Sequence, residues 1–221
     1  MTHFFRRELQ TSASHLSKVS CSSVFFDKSV FFSALGNSFV GEYAQACTIL
    51  DNYLKTSPNS QYNELLSVKF AGLSLLERDF EMFDYYSKQF NFEHSHFAAS
   101  QNTLMNARHE LANYREKSPL LAGVFSAIVP GTGKIYAGKT GEGISALASV
   151  GIFTAITAEN WIKNGLTNWK TITFGTIASI FYIGNIVGSV VTVKAYRIQF
   201  NDKQNNAILL GIHIPVRAVF N

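Results

Sequence analysis

Residues 117–194 read KSPLLAGVFSAIVPGTGKIYAGKTGEGISALASVGIFTAITAENWIKNGLTNWKTITFGTIASIFYIGNIVGSVVTVK, and the solvent around this stretch decides the fold. It is apolar, rich in Gly, Ala, Ser and Thr, and carries few charges. Ser118 and Pro119 make a helix start: Ser caps, and Pro loses nothing at the first helical position. Pro130 and Gly131 stop that helix after about ten residues, roughly 15 Å of rise. A hydrocarbon core is about 30 Å thick, so this half-helix lies at the interface or re-enters. Residues 143–158, extendable to 162, form a second apolar run. Residues 171–193 form a third, long enough to span, with Asn185 its only strongly polar side chain. Both tryptophans, Trp161 and Trp169, stand in or beside the connector, where an apolar ring with a polar N–H suits a bilayer interface. The expectation is a transmembrane helical hairpin preceded by a half-helix. The alternative is a buried helix pair in water, but the rest of the chain looks too small to wrap it.

Two crossings return the chain to the side it started from. Lys134, Lys139, Lys194 and Arg197 flank the hairpin, while Lys163 and Lys170 sit in its connector. By the positive-inside rule that excess tilts the flanks towards the cytoplasm. Gly184 and Gly188 form a GxxxG around Asn185, a spacing that lets helices approach closely within the hairpin or in a homo-oligomer.

Outside this block the chain reads as water-soluble. Its 221 residues allow one or two domains. The net charge of +4 comes with no long basic run, so nucleic acid is not an expected partner. Cys21 and Cys47 form neither a CxxC nor a metal-ligand spacing. Val19-Ser20-Cys21 weakly resembles a lipoprotein cleavage site but lacks a preceding apolar run, and no secretory signal is read at the start. Glu93, His94 and His96 cluster in a loop or helix start, a setting usually solvated. His213 has no metal partner near it in sequence. Neither a catalytic constellation, a metal site nor a cofactor is expected.

Residues 1–26 carry no firm pattern and are expected to be a loose tail. Val30, Phe31, Ala34, Leu35 and Phe39 then recur at helical spacing. Gly41-Glu42-Tyr43 makes a turn, and Ala46, Ile49, Leu50 and Tyr53 mark a second helix that ends at Ser57-Pro58. Gly41, Tyr43, Ala46, Leu50, Tyr53 and Pro58 resemble a tetratricopeptide (TPR) repeat, a helix pair of about 34 residues. Ser33 and Asn37 depart from it, standing where larger residues are usual. A second pair follows with Leu65, Leu66, Phe70, Ala71 and Leu73. There Arg78-Asp79-Phe80 replaces Gly-Glu-Tyr and Phe83 replaces Ala. A further helix over residues 95–115, with Phe97, Leu104, Ala107, Leu111 and Tyr114, would cap the array. A plain helical bundle with no groove is the competing reading. In the last segment, Ile208, Leu210, Ile212, Ile214 and Val216 alternate with other residues, which reads as a weak strand with Pro215 at an edge.

Gly133 to Thr140, GKIYAGKT, also matches GxxxxGK[ST], the loop that cradles phosphates. On that alternative Gly133, Gly138, Lys139 and Thr140 would hold a nucleotide. The motif needs a strand before it and a helix behind it; here a helix start and Pro-Gly precede, and the bulky Ile135-Tyr136 pair suits a phosphate loop poorly. The same glycines fit another pattern. Lys117-Ser118-Pro119, Leu121-Ala122-Gly123, Ser126-Ala127, Pro130-Gly131, Gly133, Tyr136, Gly138 and Gly143 stand in KSPxLAGxxSAxxPGxGxxYxGxxxxG, followed by Tyr182 and Gly184-Asn185-Ile186 with Gly188. This resembles a bacterial family of small membrane proteins that place TPR-like helices before a two-helix, glycine-rich membrane domain, over about residues 30–200. Relatives commonly carry Gln where Lys134 stands. The resemblance implies close packing of the half-helix and turn on the hairpin. It implies no chemistry. Many relatives begin with an export signal, which would put the repeats outside the cytoplasm, against the charge tilt.

The expected architecture is therefore all-α: a tail over 1–26, a TPR-like domain over 27–116, a two-helix membrane domain over 117–200 and a tail over 201–221. The packing motif comprises Pro130, Gly131, Gly133, Tyr136, Gly138, Gly143, Gly184, Asn185 and Gly188. The expected function is a non-enzymatic, membrane-anchored scaffold that binds a protein segment, assisting assembly or biogenesis of envelope proteins in a bacterial inner membrane. The alternatives are the nucleotide reading and a lipid- or solute-handling membrane domain.

Overall fold

A computed structural model describes residues 2–57, 61–93 and 95–220, without the side chains of residues 2–7, 95 and 96. Pro58, His94 and the His96 side chain thus lie outside the described residues. Among the described residues the fold is all-α, with ten helices and no strand. The chain divides into two compact units, one running to Tyr114 and resumed from Asp202, the other Arg115–Asn201.

The first unit starts with α1 (Thr2–Leu16), α2 (Phe26–Val40) and α3 (Tyr43–Thr56). The helix at Thr2–Leu16 corrects the expected loose tail. Leu9, Ala13 and Leu16 stand at helical spacing, and Ala13 is buried against α2. There Ser33 Oγ donates to the Ala13 carbonyl at 2.7 Å, and a Cβ on Gly36 would touch that of Ala13. This contact accounts for the small residues of α2. Ser33 and Asn37 are buried; Ser33 is small where α1 comes close, and the Asn37 amide donates to the Ser33 carbonyl.

Gly41 ends α2 in the left-handed region, φ 87°. The next pair, α4 (Asn63–Glu77) and α5 (Phe80–Ser87), repeats the turn 37 residues later with Arg78 at φ 63°. A left-handed non-glycine residue is strained by its Cβ. Arg78 is held by its own guanidinium, which donates to the Leu75 carbonyl at 2.8 Å. Asp79 then caps α5, accepting from Met82 N at 3.0 Å. Ala46 and Phe83 occupy corresponding buried positions in the two pairs.

α4 is the axis of this unit, with every residue from Leu65 to Leu76 buried. α6 (Ser95–Asn113) packs on it, with Leu104 and Ala107 in the core. The remaining face is closed by the last turns of α10 (Trp169–Phe220). This corrects the strand expected from 208 to 217. Ile208, Ile212 and Val216 are fully buried, whereas Leu210 and Ile214 are more than half exposed. A run of apolar residues at every second position contains a stripe at every fourth, and the stripe is what the core takes. A Cβ on Gly72 would collide with the Ile212 side chain, so Ile212 and Ile208 of α10 pack directly onto the backbone of α4 there. Pro215 is tolerated inside the helix although it removes one N–H and crowds the carbonyl of Gly211.

One residue in this core breaks the rule for lysines. Lys69 is fully buried, and its Nζ has no hydrogen-bond partner among the described residues. Burial lowers its pKa from 10.5 to about 7. His213 stacks edge-on against Phe39 with centroids 5.8 Å apart. Burial, Arg217 and Lys69 push its pKa down. Cys47 is half-buried, and burial together with Glu77 and Asp51 raises its thiol to about 11, which makes it unreactive.

Candidate functional site

The second unit opens with α7 (Pro119–Ile128), capped by Ser118, whose Oγ accepts from Leu121 N at 3.4 Å. A turn leads to the short α8 (Thr132–Ala137), then to α9 (Thr140–Asn164) and, after a short connector, to the first part of α10. α9 and α10 are long and apolar enough to cross a membrane by length and composition.

The packing-motif residues converge on the turn between α7 and α8. Gly131, next to the half-buried Pro130, has φ 88°, and its carbonyl accepts from both Lys134 N and Ile135 N at 3.1 Å. A side chain there would strike the backbone of Gly143, so the turn and the start of α9 lie in direct contact. Gly133 is tighter still, since its Cβ would overlap the Ala122 carbonyl and Ser126 Oγ. Gly138, φ 95°, ends α8. Tyr136 reaches back to the start of α7: its hydroxyl accepts from Ser118 N at 3.1 Å and its ring meets Phe125 edge-on at 5.3 Å. Lys117 Nζ stands over the same ring, 5.8 Å from its centroid.

A hydroxyl chain ties this turn to α10. Gly133 N donates to Ser126 Oγ at 3.0 Å, Ser126 and Ser189 share a 2.7 Å hydrogen bond, and Ser189 Oγ donates to the Asn185 carbonyl at 2.8 Å. Each hydroxyl has one proton. Ser189 gives its own to Asn185, so Ser126 is the donor between the two. A second tie runs from Tyr182, whose hydroxyl donates to the Ala127 carbonyl at 2.6 Å. Nothing in the local sequence forecasts the serine pair, whose members stand 63 residues apart.

Gly188 and Gly184 do not form one seam towards α9. A Cβ on Gly188 would meet Lys134 Cε at 3.7 Å, and one on Gly184 would meet nothing within 4 Å. Both Asn185 amide atoms are buried without a hydrogen-bond partner among the described residues. Asn185, Gly184 and Lys134 line a cleft of about 660 Å³ with Glu142, Ser145 and Ser149.

The GKIYAGKT segment has helical geometry. Among the described residues no strand precedes it, and five of its N–H groups are engaged inside the fold: Gly133 on Ser126, Lys134 and Ile135 on Gly131, Gly138 on Ile135 and Lys139 on Lys134. Lys139 Nζ pairs with Glu142 at 3.3 Å, and Thr140 begins α9 on the exposed surface. A phosphate would find those five amides already engaged. Among the described residues no cluster of three or more His, Cys, Asp or Glu could hold a metal ion.

The chain is thus a helical protein with two helices of membrane-spanning length and apolarity. Comparison with family models, curated proteins and solved structures finds no match.

Proposed function

We propose that this chain is a membrane-anchored interaction module without catalysis, in which α9 and the first part of α10 cross the bilayer as a hairpin. One observation carries the reading. The most apolar windows of α9 and α10 are only 11% and 22% buried, unlike the core helix of a water-soluble protein. Ile144, Leu147, Ile152, Ile172, Ile180, Ile183, Val187 and Val191 all point outwards, a surface suited to hydrocarbon and costly in water. The tryptophans at the connector, Trp161 and Trp169, are exposed, as interface anchors would be.

The first unit supplies the binding surface on this reading. An apolar cleft of about 420 Å³ runs between α1, α2 and the last part of α10, lined by Leu9, Leu16, Phe32, Leu35 and Phe39 with His213 at its rim. It suits one or two apolar side chains of a protein segment. The TPR-like turns at Gly41 and Arg78 and the KSP-to-Gly143 pattern support membership of the bacterial family named above, with an inner-membrane location and a role in assembling envelope proteins. An alkaline carbonate wash of membranes carrying the full chain tests the anchor. Retention in the pellet is expected; release into the supernatant would overturn it.

A further inference from the structure

The cleft between α8, α9 and α10 is lined by a lysine, two serines and an amide together with apolar side chains. Near the start of α9, Lys134 brings an ammonium whose stem crosses Gly188. Among the described residues no ion pair of Lys134 is found, and Glu142 on the wall of the same cleft pairs with Lys139 at 3.3 Å. One to two turns deeper are Ser145 and Ser149, each donating its proton to the carbonyl four residues back and so presenting only acceptor lone pairs. Opposite them is Asn185, 5% exposed, with an unpaired amide N–H₂ and an unpaired amide oxygen. Further along α10, the exposed Ile180 and Phe181 make the mouth of the cleft apolar, and Phe181 stacks on Phe153 at 5.2 Å. From Glu142 to Ser149 the cleft descends about 10 Å along α9.

A buried amide with both atoms unpaired is costly, and most such groups in proteins find a partner. In hydrocarbon no water stands in for that partner. The unpaired ammonium and the unpaired amide lie about one helical turn apart, on the wall of one cleft that opens between two apolar helices. We propose that this cleft binds one phospholipid, with the phosphate diester on Lys134, an ester carbonyl accepting from Asn185 Nδ2, and an acyl chain along Ile180 and Phe181. The proposal rests on α9 and α10 crossing the bilayer. A second copy of the chain fits less well, since two apposed clefts would bring two unneutralised Lys134 side chains together.

The test is native mass spectrometry of the full chain, released from detergent micelles containing phosphatidylglycerol. One retained lipid per chain is expected. Lys134→Gln and Asn185→Leu should each cut its occupancy about tenfold, the scale of one lost charge-assisted hydrogen bond. Lys134→Arg should retain it, and Lys163→Gln in the distant helix end should change nothing. Helix content from circular dichroism separates a lost site from a lost fold, and Lys134→Gln at a half-exposed position keeps the test open if Asn185→Leu does not fold. Equal lipid retention in all variants would overturn the proposal while leaving the anchor standing. Displacement of the lipid by millimolar inorganic phosphate would assign the cleft to a free anion and overturn it. A lipid-free dimer that Asn185→Leu dissociates would assign it to a second copy. Release of the chain by carbonate would overturn the anchor and the lipid site together.

Discussion

α4 and α9 are both apolar helices, and they solve opposite problems. α4 hides every residue from Leu65 to Leu76, whereas over its 25 residues α9 buries only Gly143 and Val150. The first is wrapped by α5, α6 and the end of α10; the second leaves its Ile and Leu side chains outside. Their polar groups differ in the same sense. The second unit joins its helices through short hydroxyl contacts, Ser126 to Ser189 and Tyr182 to Ala127, and through glycines that let backbones touch. The first unit is held by large side chains such as Phe31, Tyr53 and Phe83, which interlock around α4. Where water drives apolar groups together, volume is the organising quantity. Where lipid surrounds helices, as proposed for α9 and α10, close approach and hydrogen bonding take that role.

The sharpest way to break the comparison is at Gly133. Gly133→Val forces a branched side chain into the Ala122 carbonyl and removes the space that Ser126 uses to reach the turn. Overpacking against backbone has no rotamer escape, so the second unit should lose its turn at a cost of about 3 kcal/mol or more. Limited proteolysis in detergent should then cut near residues 129–139, while the first unit stays resistant. A new cut in α4 instead would mean that the two units do not fold as separate cores.

The next effect is confined to one titrating group and has the opposite sign. Lys69 costs the first unit stability because its charged form is disfavoured by burial. With the folded pKa near 7 and the unfolded value near 10.5, the unfolded chain binds the extra proton between those limits. Stability therefore rises as pH climbs from about 7 to 10.5 and gains nothing from this group below 7. Lys69→Met should stabilise the unit at pH 7 by a few kcal/mol and remove that rise. Urea titrations of both forms at pH 7, 8.5 and 10 check it. Parallel slopes against pH would show that Lys69 has a partner or reaches water.

The sequence made the helices of this unit legible through spacing, because the residues that repeat at three and four positions are the ones that pack. It made the two long apolar helices legible through length, since the run over residues 171–193 is long enough to span. Three features escaped for physical reasons. The helix at Thr2–Leu16 carries a weak apolar stripe and is stabilised by docking, where Ala13 meets Gly36; neither is conspicuous alone. The end of α10 alternates like a strand, and only the presence of α4 decides that Ile208, Ile212 and Val216 are the relevant set. Lys69 stood in plain view inside an apolar run, but a lysine reads as solvated unless the helix is known to be covered on all sides. Within the candidate site the glycines and Asn185 were visible as a pattern. The serine chain and the lysine over Gly188 were not, because both depend on how three helices meet.

The smallest effect tests whether Tyr136 is an anchor for lipid headgroups or a strut within the turn. Its hydroxyl accepts from Ser118 N, the N–H of the residue that caps α7, and its ring is held by Phe125 and Lys117. Tyr136→Phe keeps the ring and deletes the hydroxyl, leaving Ser118 N half-buried without that acceptor. A net hydrogen bond of this kind contributes about 1 kcal/mol. The loss should appear as faster amide exchange at Ser118 and along the first turn of α7, with exchange in α9 unchanged. If Tyr136 acted only at the headgroups, exchange at Ser118 would stay as it was and the ring's fluorescence would change with lipid composition. The strut predicts the reverse at Ser118, and the phenol proton, which that bond does not use, is a separate donor.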